Sequence, residues 1–302
     1  MKKTLYKYRA INEYTEKIFL NKKVWLSNAA GLNDPFECTI QEIAEDYINE
    51  KVKEMKDAQI SGFVMSCGMA VKGIMPLWGM STKLVKQTLK KLKKESNYEK
   101  KYKLVRETFR KHSGGSMTRP RKTFENFDKQ LQQAGIFSLS EDPINELMWA
   151  HYGGNSTGIA IGFNVSENSN LSDPEKCIKV TYSDELPSFE SEGFLVETSL
   201  KYGGKNEQRI AFNDPTLLTA ISTKSKAWNY EKEWRYVEPD QGEYQYPGPI
   251  NQIVFGLNTK EETIKKYKDL ANSLGTDSMA FFKVRKEPNT NKLRLEKLKG
   301  SD

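Results

Sequence analysis

The sequence predicts an α+β fold in which one large domain carries a helical, lysine-rich insertion. Short segments rich in aromatic and β-branched residues alternate with amphipathic helical segments along most of the 302 residues. Between residues 42 and 133 this pattern gives way to long, charged helical segments. The 37% hydrophobic residues and 20 glycines suffice for a buried core. We therefore expect a single α+β domain over residues 1–302, with residues 42–133 inserted in it.

The composition argues against several classes of protein. Cys38, Cys67 and Cys177 are odd in number and far apart, so we expect neither a disulfide framework nor a zinc site. The two histidines and the absence of a CxxC pair make a bound metal unexpected. The N-terminus lacks the apolar stretch of a signal peptide, and no window approaches the apolar length of a membrane span. These features predict a cytoplasmic protein that does not enter a membrane.

The first forty residues are predicted to form a strand, a helix, a second strand and a turn. Residues 5–9 are a β-prone run that ends on a cation, and residues 12–20 have apolar side chains at helical spacing. Residues 22–27 form a second short strand. In the sequence NDPFE, residues 33–37, Asp34 precedes a proline and is driven into an extended conformation. We expect a turn whose Asn and Asp side chains bond their own backbone, in preference to a ligand-binding role.

The inserted segment is predicted to be helical. Residues 42–60, 82–94 and 98–111 have amphipathic helical patterns, and the apolar stretch 64–80 contains glycines. In residues 82–94 the apolar side chains form one stripe and lysines cover the rest of the helix. The predicted stripe consists of Leu84, Val85, Thr88, Leu89 and Leu92.

Positive charge is concentrated in this segment. Residues 83–129 contain sixteen Lys or Arg and five Asp or Glu, a balance of +11, whereas the whole chain carries +7. A basic helical face can attract the phosphate backbone of nucleic acids. A solvated lysine-rich surface explains the same composition, and no base-reading motif accompanies it. Both interpretations of residues 83–129 remain open at this stage.

Strands and helices alternate again after residue 134. We predict strands at residues 135–140, 157–163 and 177–183, and the nearly continuous apolar character of the second suggests a central strand. A helix over residues 144–153 begins after an Asp-Pro pair and is stopped by two glycines. Residues 195–202 are predicted to be helical.

The C-terminal part is predicted to add two strands and a helix. A glycine- and proline-rich turn precedes a strand at residues 250–256. A helix over residues 259–273 follows, and a last strand over residues 279–285 leads into a charged tail.

The densest group of functional side chains lies in KSKAWNYEKEWRYV, residues 224–237. Its aromatic and β-branched content favours a strand from about Glu233 onward. In an extended chain Glu231, Glu233 and Arg235 share one face. The simplest interpretation is a polar sheet face on which Arg235 and Lys232 neutralise the two acids.

Several motifs in one order resemble a family of bacterial proteins catalogued only as a domain of unknown function. They are LYKYR at the start, NDPFE in the first loop, FSLSED, LMWAHYG and GIAIGF in the middle, and YEKEWR late in the chain. The resemblance covers most of the chain outside the basic insertion. It carries no activity with it.

A second resemblance, to the ADP-ribosyltransferase superfamily, implies a chemistry. It rests on a cation on the first strand, a later Ser-x-Ser strand followed by a helix, and a Glu-x-Glu loop that enters a strand. The resemblance implies a mixed, mostly antiparallel sheet. It matches Arg9 to the arginine that holds an NAD phosphate and Ser138 or Ser140 to the serine of the nicotinamide-ribose pocket. Glu233 matches the catalytic acid, and Glu231 the acid that orients the acceptor.

The implied function is mono-ADP-ribosyl transfer from NAD to a protein or nucleic acid acceptor, or hydrolysis of NAD, with no metal. Cleavage of the N-glycosidic bond develops positive charge on the ribose, which a fixed carboxylate stabilises. Aromatic side chains such as Tyr152, Trp149 or Trp228 can stack on nicotinamide or adenine. We expect Arg9, a serine hydroxyl and Glu233 to converge on one open face of the sheet.

Two alternatives stay open. A non-catalytic module could bind nucleic acid through the basic helical segment, with the α+β domain as a scaffold. Phosphodiester hydrolysis by a metal and the acids Asp34, Glu37 and Glu233 is the other alternative, although these acids lack a recognisable metal-ligand spacing.

Overall fold

The computed structural model describes residues 3–189, 196–199, 207–275 and 279–298. The chain divides into two compact units. The first unit, here called the sheet unit, comprises Met1–Ile40, Gln130–Pro187 and Pro215–Asp302. The second, the helical unit, comprises Gln41–Lys129 and Ser188–Asp214, and so contains most of the segment predicted as an insertion.

The fold is α+β with a mixed, mostly antiparallel sheet, as the sequence predicted. The α-helices of the described residues are α1 (Glu13–Asn21), α2 (Glu45–Val71), α3 (Thr82–Lys94), α4 (Tyr98–Ser113), α5 (Pro120–Glu125), α6 (Phe127–Gln133), α7 (Glu146–His151), α8 (Pro215–Ser222) and α9 (Glu261–Asn272). The strands are β1 (Lys3–Arg9), β2 (Lys23–Leu26), β3 (Gly135–Ser140), β4 (Ile159–Val165), β5 (Cys177–Lys179), β6 (Thr181–Tyr182), β7 (Val196–Ser199), β8 (Glu207–Ile210), β9 (Thr223–Lys224), β10 (Glu233–Glu238), β11 (Gly242–Gln245), β12 (Ile250–Phe255), β13 (Ala280–Lys286) and β14 (Leu293–Lys297). Within the described part of the chain, no helix is both long and apolar enough to cross a membrane.

The sheet unit is built around an eight-stranded sheet in the order β14-β13-β12-β4-β1-β3-β10-β5. Its neighbouring strands run antiparallel except β12 and β13, which are parallel. The predicted central strand is confirmed, because β4 lies between β1 and β12 and its residues 159–164 are all buried. Burial on both faces explains why this strand has no alternating pattern of polar residues.

Apolar side chains cover both faces of this sheet. On one face, Phe19 of α1 and Tyr267 of α9 have ring centroids 5.7 Å apart and share a core with Leu5. Leu5 and Tyr8 point to opposite faces because side chains alternate along β1. On the second face Trp149 of α7 packs edge-on against Tyr8, with the ring centroids 4.9 Å apart.

The sheet has one weak seam, between β1 and β3. β1 pairs with β4 along its whole length, and β3 pairs with β10 along its whole length. In contrast, the register between β1 and β3 contains the single pair Tyr6 and Ser140. The two halves of the sheet therefore part next to the strand that carries the Ser-x-Ser motif.

The helical unit encloses its own core. Phe63 and Cys67 of α2 pack with Val85 and Leu92 of α3 and with Val105 of α4. The predicted stripe of α3 is confirmed, since its apolar side chains are buried or half-buried and its lysines are exposed. Residues 45–71 form one continuous helix instead of the separate helical and glycine-containing stretches that the sequence suggested.

Two local predictions differ from the structure. The helix expected at residues 144–153 is shorter, because Asn145 caps it by accepting a hydrogen bond from the Met148 amide. Asp142 instead accepts from the Ile144 amide in a turn before the helix. Residues 196–199 form strand β7, which pairs antiparallel with β8, so the helix predicted there is wrong. The rest of that prediction, residue 195 and residues 200–202, lies outside the described residues.

Candidate functional site

The stretch 224–237 turns both of its glutamates into the protein interior. A 3₁₀ helix over Lys226–Glu231 ends at Lys232, whose φ of 46° lies in the left-handed region. β10 then starts at Glu233, where the sequence predicted a strand to begin. The left-handed residue interrupts the extended run, so Glu231 precedes the strand instead of sharing its face. Glu231 and Glu233 are nonetheless both only 3% exposed.

These glutamates belong to a buried cluster of charges, here called the charge cluster, formed by Glu37, Lys224, Glu231, Glu233 and Arg235. Lys224 Nζ lies 2.6 Å from Glu231 Oε2, 3.3 Å from Glu233 Oε2 and 3.2 Å from Glu37 Oε1. Arg235 Nε donates to Glu233 Oε1 at 3.0 Å, and its NH2 group donates to Glu37. The expectation that Arg235 neutralises these acids is therefore confirmed for Glu233.

Lys232 does not share this role. Its Nζ lies 3.0 Å from Asp142 Oδ2, and about half of its side chain is exposed to solvent. Lys224, eight residues earlier in the chain, supplies the second cation of the cluster, because β9 places its side chain among the three carboxylates.

The charge cluster keeps Glu233 ionised. Burial alone would raise the pKa of Glu233, but Arg235 and Lys224 outweigh burial and lower that pKa to about 2. Burial alone would lower the pKa of the Lys224 ammonium group, but the three glutamates outweigh burial and raise that pKa. Three carboxylates thus face two cations. At Glu37, unlike at Glu233, burial outweighs Arg235 and Lys224, and the pKa of the carboxyl is raised.

The NDPFE loop delivers Glu37 to this cluster. Asp34 Oδ1 accepts from the Phe36 amide at 3.0 Å, which confirms the predicted turn in which an Asp side chain bonds its own backbone. Its second oxygen accepts from the Ser225 amide at 3.4 Å, which ties the loop to the stretch that carries Lys224. The role of Glu37 as a counter-ion for Arg235 was not expected from the sequence.

The two serines of β3 line the same cluster. Ser140 lies directly opposite Glu233 in the sheet, and its hydroxyl donates to the Glu231 carbonyl at 2.6 Å. Ser138 lies opposite Arg235 and hydrogen-bonds to the Glu233 side chain. The Ser-x-Ser strand and the Glu-x-Glu loop therefore meet.

Tyr152 reaches the cluster through its hydroxyl rather than its ring face. The hydroxyl donates to Glu231 Oε1 at 2.6 Å and accepts from Asn33 Nδ2 at 2.8 Å. Burial and the adjacent Glu231 raise the pKa of this phenol. Of the other aromatic candidates, Trp149 is enclosed in the core, and the Trp228 ring faces Lys224 Nζ at 4.8 Å.

Lys7 occupies the seam between β1 and β3. Its Nζ donates to the Ser138 carbonyl at 2.9 Å and lies 4.9 Å from the centre of the Phe137 ring. Burial and the neighbouring Arg9 lower the pKa of Lys7 to about 7, against the opposing effect of Glu233 and Glu231. The sequence offered one signal for this residue, a lysine in the middle of a tyrosine-rich strand.

Arg9 lies apart from the charge cluster. Alternation along β1 places it on the face opposite Tyr6, whereas Glu233 shares the row of Tyr6 and Ser140. Arg9 lines a pocket of about 520 Å³, and neither Glu231 nor Glu233 lines it. Its Nε is enclosed and has no hydrogen-bond partner among the described residues. The structure thus unites the serines, the glutamates and Tyr152 but not Arg9.

No metal site emerges from the described ranges, where no group of three or more His, Cys, Asp or Glu is arranged to hold an ion. The acids of the phosphodiester alternative have other partners. Asp34 binds backbone amides, and Glu37 and Glu233 contact Arg235 and Lys224.

Comparison with known proteins bears on part of the chain. Residues 148–236 match the model of DUF2971, a family of proteins of unknown function. The match includes the MWAHYG and YEKEWR motifs and ends just after Arg235, whereas LYKYR, NDPFE and the Ser-x-Ser strand precede it. No curated protein and no solved structure matched the chain.

Proposed function

We propose that this protein is an ADP-ribosyltransferase-like enzyme that uses NAD as a substrate. The observation that carries the proposal is the adjacency of three strands in the order β1-β3-β10. They bear the arginine, the serines and the catalytic glutamate of the implied site, and Glu233 lies directly opposite Ser140. These strands are far apart in sequence, so their adjacency does not follow from the motifs themselves.

The state of Glu233 suits this chemistry. The C1′–N bond of NAD breaks, nicotinamide leaves with the electron pair, and the ribose becomes cationic. The nucleophile of a protein or nucleic acid acceptor, or water, then bonds to C1′ and releases its proton to solvent. While Arg235 and Lys224 hold its pKa at about 2, Glu233 is negatively charged, which suits an electrostatic stabiliser rather than a proton carrier.

Access to Glu233 requires a local rearrangement. Both of its oxygens are engaged by Arg235 and Lys224, so the ribose can meet this carboxylate only when at least one ion pair opens. The seam between β1 and β3 is the nearest break in the sheet, and Lys7 occupies it. Arg9 lies across this seam and on the opposite face of the sheet from Glu233. In this proposal its bidentate guanidinium holds the pyrophosphate only when the dinucleotide passes through the opened seam.

The test is nicotinamide release from labelled NAD by the wild type, by Glu233→Gln and by the matched control Glu37→Gln. Glu37 is a buried carboxylate of the same cluster with the same two cationic partners, but it lies outside the Glu-x-Glu motif. We expect Glu233→Gln to reduce turnover by roughly a hundred- to a thousand-fold, the usual loss for a positioned electrostatic stabiliser. We expect Glu37→Gln to retain most of the activity.

Thermal melting of all three proteins separates loss of activity from loss of folding. Calorimetric titration with NAD separates an unreactive complex from no complex. The proposal is refuted by an absence of NAD binding at millimolar concentration, or by equal turnover of the wild type and folded Glu233→Gln.

A further inference from the structure

The helical unit contains a recess lined by cations. A cavity of about 600 Å³ lies between α2, α4 and the start of α5, and one glutamate, Glu99, is among its lining residues. A second cavity of about 270 Å³ shares Lys103 and Arg106 and adds Arg110 and one further glutamate, Glu107, which lies 3.9 Å from Lys103. We call the two cavities together the basic groove. The cations of the larger cavity are Lys56, Lys100, Lys103, Arg106, Arg119 and Arg121.

Several of these cations lack an internal counter-ion. Lys56 and Arg121 are neutralised by glutamates at 2.9 and 2.6 Å. In contrast, Lys100, Arg110 and Arg119 are exposed and have no carboxylate within ion-pair distance in the described part of the chain. Three exposed charges on the rim of the basic groove are therefore available to an external anion.

Arg106, at the junction of the two cavities, is fixed more firmly. Its guanidinium lies 5.8 Å from the centre of the Tyr102 ring, and Tyr102 is itself anchored by a 2.7 Å hydrogen bond to Gln59. The Arg106 Nε is enclosed and has no acceptor among the described residues. Because this nitrogen is closed off from solvent, an external anion meets Arg106 through the part of its side chain that lines the two cavities.

We infer that the basic groove binds the phosphodiester backbone of single-stranded nucleic acid. Two adjoining cavities that share Lys103 and Arg106 suit an elongated anion better than a compact one. Recessed cations are within reach of a flexible single strand, whereas the phosphates of a duplex lie on a rigid convex cylinder. The one aromatic lining residue, Tyr102, is 5% exposed and unavailable for base stacking, so binding is independent of base sequence.

Binding in the basic groove differs from a general attraction to the lysines of α3. Lys90, Lys91 and Lys93 are exposed on that helix and line neither cavity. They therefore provide a control in which the same charge is removed from a different surface of the same unit.

The experiment measures the affinity of the full chain for a fluorescently labelled oligothymidylate over a series of salt concentrations. In the groove variant Lys100→Gln, Arg110→Gln and Arg119→Gln are combined, and these exposed, unpaired positions should tolerate the change. We expect its affinity to fall at least about tenfold at ~0.1 M salt and its salt slope to decrease by about 0.7 per lost phosphate contact. Arg106→Gln alone should weaken binding in the same direction.

The control variant combines Lys90→Gln, Lys91→Gln and Lys93→Gln. It loses the same charge, and we expect its affinity to change less than about threefold, because non-specific attraction is shared over the whole surface. Circular dichroism and thermal melting verify that both variants keep the helical unit folded.

Three outcomes overturn the inference. The first is no binding of oligothymidylate by the wild type at low salt. The second is equal weakening by the groove and control variants, which indicates net charge rather than a site. The third is displacement of the strand by inorganic tripolyphosphate as effectively as by unlabelled strand at equal phosphate concentration, which indicates a site for small anions.

Discussion

At the scale of single residues, the charge cluster shows how two acids are kept in the protein interior. Buried ions are tolerated when each has a close partner of opposite charge, and removal of one partner typically costs about 3–5 kcal/mol. Lys224 contacts Glu231, Glu233 and Glu37, and Arg235 contacts the last two. Each carboxylate therefore retains at least one cation within 3.3 Å.

The lowered pKa of Glu233 predicts how stability depends on pH. A carboxyl whose pKa falls from 4.5 to about 2 on folding contributes stability above pH 4.5, which is lost as the pH falls towards 2. The stability advantage of the wild type over Glu233→Gln should therefore shrink by about 2 kcal/mol between about pH 5 and about pH 3. Urea unfolding of both proteins at several pH values measures this difference.

Glu37→Gln is again the matched control. Since burial raises the pKa of Glu37, its effect on stability depends on pH in the opposite direction. The contribution of Glu37 to folding stability is present at low pH and is lost as the pH rises through its pKa in the folded state. The advantage of the wild type over Glu37→Gln should thus grow on acidification. Parallel slopes for the two variants would contradict these assignments.

At the scale of elements, the start of β4 depends on a close approach of two backbones. A Cβ on Gly158 would lie 2.2 Å from the Arg9 carbonyl oxygen and 2.8 Å from that of Gly153. Both obstacles are backbone atoms, so neither can rotate away as a side chain would. The join between the central strand and the C-terminal end of β1 therefore requires glycine.

Gly158→Ala should destabilise the protein by about 1–3 kcal/mol, the usual cost of overpacking. Gly62→Ala serves as the control, because Gly62 lies inside α2 with nothing within 4 Å of the added atom. Alanine there should stabilise the helix by about 0.5–1 kcal/mol. Denaturant unfolding followed by circular dichroism should show shifts of opposite sign, and a neutral Gly158→Ala would contradict the close approach.

At the scale of the whole molecule, the three cysteines report on both units. Cys38 and Cys177 are buried in the sheet unit, and Cys67 is buried in the helical unit. None of the three forms a disulfide within the described part of the chain. Burial raises the pKa of Cys38 to about 12 and also raises that of Cys67, so both resist conversion to the reactive thiolate.

A thiol reagent should consequently label no cysteine of the native protein within minutes at neutral pH, and all three after unfolding. At intermediate denaturant, mass spectrometry of labelled peptides should reveal which unit opens first, through Cys67 for the helical unit and Cys177 for the sheet unit. The measurement is peptide-resolved labelling against time. Rapid labelling of any of the three thiols in native buffer would contradict their burial.

The sequence by itself determined the features that depend on neighbours along the chain. Aromatic and β-branched residues placed the start of a strand at Glu233, and helical spacing identified the buried stripe of the third helix. The apolar run at residues 159–163 indicated a central strand, and the Asp-Pro pair at Asp34 indicated a turn. In each case the preference is set by side chains within a few residues, which act before any distant contact forms.

Only the tertiary structure decided which distant groups meet. Lys224 rather than Lys232 neutralises Glu231, and Glu37 joins Arg235 from the first loop, because tertiary packing brings together residues nearly 200 positions apart. Residues 196–199 form a strand because a partner strand pairs with them. Coulomb interactions and inter-strand hydrogen bonds depend on distance in space, and spacing in the sequence does not encode that distance.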